Sequence, residues 1–91
     1  MSMKAIITVV GADKVGIIAK VSAFLANHSI NIDDITQTIL SGNFVMMMMA
    51  DMSNSDISVD EARKLLTEEG HALGVEVNLM AEKVFTEMHR I

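Results

Sequence analysis

The chain has 91 residues, one domain's worth, with seven Lys and Arg against twelve Asp and Glu and a formal net charge of −5. Hydrophobic residues make up 51% and charged residues 21%, too apolar for a disordered chain and rather apolar for a small monomer. The chain lacks Trp, Tyr and Cys, which argues against base stacking, disulfides and thiolate metal sites, and its acidity argues against backbone neutralisation of a nucleic acid.

Met3–Val10 is rich in β-branched residues and ends at Gly11, so it reads as a buried strand. Asp13 then stands where an N-cap would go. Val15, Ile17, Ile18, Val21, Phe24 and Leu25 follow at helical spacing, a stripe that closes near Asn27–His28. In Ser29–Leu40, Ile30 and Ile32 alternate in one phase and Ile35 and Ile39 in the other. A strand has period two, so the switch implies an extra residue or a twist near Asp33–Asp34, and the segment reads as a strand with a β-bulge there. Ser41-Gly42-Asn43 is a turn of hairpin length, and it leads into a third strand, FVMMMMADM, apolar on both faces.

Ser58-Val59-Asp60-Glu61 fits a capping box, with acids in the first turn where the helix dipole favours them. Val59, Ala62, Leu65 and Leu66 supply the buried stripe, and Gly70 is the expected C-cap. Val75–Met80 alternates as a fourth strand, and the tail from Ala81 reads as a last short helix with Val84, Phe85 and Met88 available to pack. The whole is an α+β, ferredoxin-like βαββαβ arrangement over residues 1–91 as one domain. Its four-stranded antiparallel sheet is expected in the order 4-1-3-2, with the helices on one face and a C-terminal helix added.

With both helices on one face, the other should be polar unless something covers it. Yet Val45, Met47 and Met49 point away from Phe44, Met46 and Met48, and Ile6 and Met80 add to that outward face. Burying three or four such side chains at about 1.5–3 kcal/mol each gives roughly 5–12 kcal/mol before association costs. A homodimer is therefore expected, the alternative being that the methionines only fill gaps in the core.

The stretch Val9–Ile35 carries the functional signal. A glycine ends the first strand, a short acidic–basic turn follows, and Gly16 lies in the first turn of the helix. The first N–H groups of a helix have no internal acceptors and sit at the positive end of its dipole, which suits a carboxylate or phosphate. The plainer reading, that Gly11 and Gly16 merely shape a turn, stands beside it. Asp13 likewise has a capping reading, and Asp33 and Asp34 a reading as solvated residues at a bulge.

Asp13-Lys14-Val15-Gly16-Ile17 and Asn31-Ile32-Asp33-Asp34-Ile35 resemble the amino-terminal half of an ACT domain, the amino-acid-sensing module appended to many metabolic enzymes. That family usually has Asp-basic-Pro-Gly-aliphatic opening its first helix and Asn-Ile opening its second strand. Here Val15 replaces the common proline, which should soften the loop without removing its N–H groups. From Met3 to Ile91 the chain resembles the stand-alone ACT proteins of the UPF0237 group. The resemblance implies a ligand at a subunit interface, between the loop after the first strand and the start of a neighbour's second strand. Gly11, Ala12, Asp13, Lys14, Val15 and Gly16 would form the loop side, and Asn31, Ile32 and Asp33 the strand side. Backbone N–H groups near Val15 and Gly16 would take the ligand's carboxylate. Asn31's amide, or the carboxylate of Asp13 or Asp33, would hold its ammonium group.

Enzymatic readings lack their machinery. Gly11-x4-Gly16 has the spacing of a Walker A loop, but Ile17-Ile18 stand where Lys-Ser/Thr must be. An acylphosphatase needs an arginine in the first loop, which holds only Lys14. His28, His71 and His89 are dispersed, and Asp51, Asp56, Asp60 and Glu61 lack EF-hand spacing. No catalytic residue, metal or cofactor is expected. Nor is a membrane span, since no run approaches the ~18–20 apolar residues required, or a signal peptide; the expected location is the cytoplasm. Two functions stay open. One is a regulatory module that binds a small molecule such as an amino acid. The other is an interaction module that dimerises, or docks on a metabolic enzyme or regulator, and binds no metabolite.

Overall fold

The computed structural model describes residues 3–12 and 16–84. Along them run β1 (Lys4–Gly11), α1 (Ile17–Asn27), β2 (Asn31–Leu40), β3 (Asn43–Asp51), α2 (Val59–Leu73) and β4 (Glu76–Ala81). The strands form one antiparallel sheet ordered β2-β3-β1-β4, which is the expected order read from the other edge. The two most apolar strands, β1 and β3, stand at its centre.

Pairing sets Ala5, Ile7 and Val9 beside Ala50, Met48 and Met46, and sets Ile7 and Val9 beside Leu79 and Val77. All of these are buried. Onto this face α1 brings Ile17, Val21 and Leu25, and α2 brings Ala62 and Leu66. Both helices therefore cover one side, as their apolar stripes require. The opposite face carries Ile6, Thr8 and Val10 of β1 beside Met49, Met47 and Val45 of β3. Met47 is 43% exposed there, whereas Ile6, flanked by Met49 and Met80, is only 6% exposed.

The phase switch in β2 is a bulge. Ile32 pairs with Ala50 and Asp34 with Met49, which leaves Asp33 as the extra residue. The insertion brings Ile35 and Ile39 to the helix side of the sheet, the side of Ile32. At the hairpin, Ser41 (φ 52°) and Gly42 (φ 81°) make a two-residue turn with both centres left-handed, as type I′ requires, and Asn43 belongs to β3.

Two helix boundaries differ from expectation. The N-cap of α1 is Gly16, not Asp13. Gly16 has φ 81° and offers no capping side chain, so the chain enters the helix through a left-handed residue, which favours glycine. Asp13, Lys14 and Val15 lie outside the described residues. At α2 the Ser58–Glu61 capping box is present, but Gly70 is not the C-cap. The helix continues to Leu73 and stops at Gly74, whose left-handed backbone donates to the carbonyls of Gly70 and His71. Gly70 is instead a packing glycine: a Cβ there would lie 2.8 Å from Val77 Cγ2 and 2.9 Å from the Val75 carbonyl oxygen.

Residues 82–84 begin a helical turn after β4; Phe85 and Met88 of the expected last helix lie outside the described residues. Among the described residues no helix is long and apolar enough to cross a membrane.

Gly70→Val should destabilise the protein by about 2 kcal/mol or more, because overpacking and a β-branched helical residue outweigh the entropy gained over glycine. Urea unfolding checks this, and an unchanged midpoint would contradict the close approach of α2 to β4.

Candidate functional site

The loop side of the expected site begins at Gly11, the last residue of β1. A Cβ on Gly11 would lie 2.4 Å from Val75 Cγ1, so this glycine admits a packed side chain from the α2–β4 connection. Ala12 follows, exposed. Gly16 is also exposed, with nothing within 4 Å of where its Cβ would be, so its backbone conformation and not crowding explains the glycine. The first main-chain bond of α1 runs from Lys20 N to the Gly16 carbonyl at 2.9 Å. The N–H groups of Ile17, Ile18 and Ala19 therefore lack intrahelical acceptors and face out of the helix start.

The strand side is a polar cluster. Asn31 Nδ2 donates to Asp33 Oδ1 at 2.9 Å, and Lys4 Nζ donates to Asp33 Oδ2 and, at 3.4 Å, to Asp51 Oδ2. Asp51 Oδ1 also accepts from the N–H (2.9 Å) and hydroxyl (2.6 Å) of Ser53. Ile32 is half-buried against the core, and Asn31 and Asp33 are exposed. The hydrogen bonds from Lys4 and then Asn31 hold the Asp33 carboxyl below its ordinary range, and those from Ser53 do so for Asp51. The same carboxylates, Asp33 first, raise the Lys4 ammonium.

The sequence reading missed Lys4, Asp51 and Ser53. The available signal was the alternation of β1, which puts Lys4 on the open face with Ile6, but the partner acids depend on the register of two other strands. Two further acids are paired. Asp60 pairs with Arg63 at 2.6 Å, and Asp56 meets His28 Nδ1 at 2.8 Å. The His28 ring stacks obliquely on Phe24, 4.7 Å between centroids. On the open face, Ile6, Asp34, Thr36, Met47 and Met49 line a shallow apolar depression of about 200 Å³.

The two halves of the expected site lie at opposite ends of the sheet. Gly11 is aligned with Phe44 and Ile39, while Lys4 is aligned with Asp51 and Asn31. Seven residue steps along β1 separate these ends, about 23 Å at 3.3 Å per residue. Among the described residues, one chain does not bring its own Gly11 to its own Asn31–Asp33.

Against this geometry, the family model for the ACT domain matches residues 4–80. A UPF0237 protein of Clostridium acetobutylicum is 51% identical over 89 residues, covering 98% of this chain and all of that protein. An ACT domain protein from Streptococcus pneumoniae superposes with a TM-score of 0.83 at 41% identity, covering 93% of this chain and 96% of that one. A formyltetrahydrofolate deformylase from Pseudomonas syringae gives a TM-score of 0.76 at 25% identity over 89% of this chain, but only 28% of the enzyme's own length. The chain belongs to the ACT domain family, among its UPF0237 proteins. An ACT domain is a regulatory domain, which agrees with a ligand-binding module.

Removing the ammonium at position 4 tests the polar cluster. In Lys4→Met the Asp33 carboxyl should titrate closer to an ordinary aspartate, and Asp51 should follow to a lesser degree, read by carboxyl carbon NMR. Both acids have folded-state values below their unfolded ones. Their contribution to stability is therefore present above about pH 4 and is lost as pH falls through the depressed values. The raised Lys4 contributes below about pH 10 and loses its share as pH climbs through its folded-state value. An unchanged Asp33 titration in the variant would remove Lys4 from the cluster.

Proposed function

We propose that the chain, as a single ACT unit over residues 1–91, is a non-enzymatic regulatory module of the cytoplasm that binds an amino acid at the interface of a homodimer. The observation that carries this reading is the separation of the two candidate half-sites by about 23 Å of sheet. A second copy placed so that its β2 start approaches the β1–α1 loop completes a site that one copy lacks. The loop half, Gly11 to Gly16 including Asp13, Lys14 and Val15, offers main-chain N–H groups at the positive end of α1 to a carboxylate. On the strand half, Asp33 is already engaged by Lys4 and Asn31. Asn31 Oδ1 is then an acceptor for a ligand's ammonium, with Ile32 as an apolar wall. The deformylase likeness, confined to 28% of that enzyme, fits a small module that also occurs appended to larger chains.

The exposed Met47 and the apolar depression beside it favour a second reading, a docking module that dimerises or binds an enzyme or regulator without a metabolite. A thermal-shift screen of the purified protein against the twenty amino acids and small carboxylates separates the two. A ligand at about 100 times its dissociation constant should add roughly 2.7 kcal/mol, a rise of several degrees at this size. The rise should be selective and should disappear in Asn31→Ala and in Gly16→Leu. A flat response from a stable dimer would favour the docking module.

A further inference from the structure

The open face of the sheet is apolar along one line. Met80 of β4 stands beside Ile6 of β1, Ile6 beside Met49 of β3, and Met49 beside Asp34 of β2. The row crosses all four strands, apolar over three of them and acidic at β2. Next to it Met47 is 43% exposed, and the depression of about 200 Å³ opens between Ile6, Met49, Met47 and Asp34. The helices α1 and α2 pack on the other side of the sheet, so neither of them covers this row.

The chain that follows β4 starts at one end of the row. Ala81 pairs with Ala5, one step beyond the Met80–Ile6 pair, and residues 82–84 begin a helical turn. In the sequence that continues beyond the described residues, Val84, Phe85, Met88 and Ile91 keep the three- and four-residue spacing of an apolar helical stripe. Thr86 and Arg90 fall on the opposite side of that helix. Val84 is 49% exposed, so the first turn leaves the stripe open and its contacts fall to Phe85, Met88 and Ile91.

Length and charge both fit a crossing of the face. Residues 82–91 as a helix would span about 15 Å, at about 1.5 Å per residue. The three gaps between four strands span about 14 Å, at roughly 4.8 Å each. Residues three apart on a helix advance about 4.5 Å, close to one such gap. With residue 82 at β4, Phe85 therefore falls on β1, Met88 on β3 and Ile91 on β2. The same direction carries the basic pair His89 and Arg90 to the strand where Asp34 stands exposed. Because this segment is tethered to β4 beside the row, it meets the face at a high effective concentration.

We propose that residues 82–91 of the same chain cross the open face as an amphipathic helix, with Phe85 on Ile6, Met88 on Met49 and the basic end at Asp34. The face is then occupied by the chain's own tail, and an enzyme or regulator would dock there only by displacing it. The half-site argument for a homodimer stands independently of this face.

The chain has no cysteine and nine methionines, which allows a selective test on the full-length protein. A nitroxide is attached at Thr86→Cys, on the side of the helix away from the stripe, and the methionine methyl groups are read by carbon-13 NMR. The Met49 and Met80 signals should lose several-fold more intensity than those of Met46 and Met48, which lie behind the sheet. Equal loss on both faces, or none, would overturn the proposal. Phe85→Glu in the labelled chain, with folding checked by circular dichroism, should restore the Met49 and Met80 signals, and signals that stay bleached would take Phe85 off the row. The loss should also vanish when the nitroxide is on an isotopically unlabelled chain mixed with isotope-labelled wild-type protein. Its persistence at full strength in that mixture would make a second copy's tail the occupant and overturn the intramolecular contact.

Discussion

The pairing of β1 with β3 is the constraint on which the rest depends. It sets Ala5, Ile7 and Val9 beside Ala50, Met48 and Met46, and those side chains meet both helices. A slip of one residue would turn Lys4 and Thr8 into the core and expose Ile7 and Val9, so the register is held by the cost of moving a whole face. The same pairing fixes the ends of the sheet. It sends Gly11 and the loop before α1 to one end, and Lys4 with Asp51 and the start of β2 to the other.

The bulge at Asp33 turns that frame into a chemical one. Without it Ile35 and Ile39 would fall on the open face, and the edge of β2 would present different side chains. With it, Asp33 is the residue left out of the ladder, available to take Lys4 and Asn31. A single inserted residue thus serves both packing and polarity. It sets the isoleucines of β2 on the helix side, and it gathers two carboxylates around one ammonium where three strands end.

How much of this was legible depended on how local each feature is. The capping box at Ser58 and Glu61, the Ser41-Gly42 turn and the bulge were readable because each is decided by neighbours within a few residues. Gly70 was misread as a cap because its reason lies across the structure, in the contact with Val75 and Val77. Gly16 was read as a glycine of the first turn, when its left-handed backbone is what starts the helix. Asn31 and Asp33 were named from a family pattern, but their bond to each other and the claim of Lys4 on Asp33 needed the register of β1, β2 and β3 together. Family resemblance could point to the two half-sites; only the topology showed that a sheet length divides them.

That division bears on how such a domain would report a ligand. If each site takes its loop from one copy and its strand from another, ligand affinity and dimer affinity are linked, and whatever binds at the junction favours the paired state by its own binding free energy. The domain then needs no internal conformational change to act as a sensor, because the variable that moves is association. Such a device works only if association is confined to one geometry. An edge that paired without limit would respond to concentration alone and would lead to aggregation.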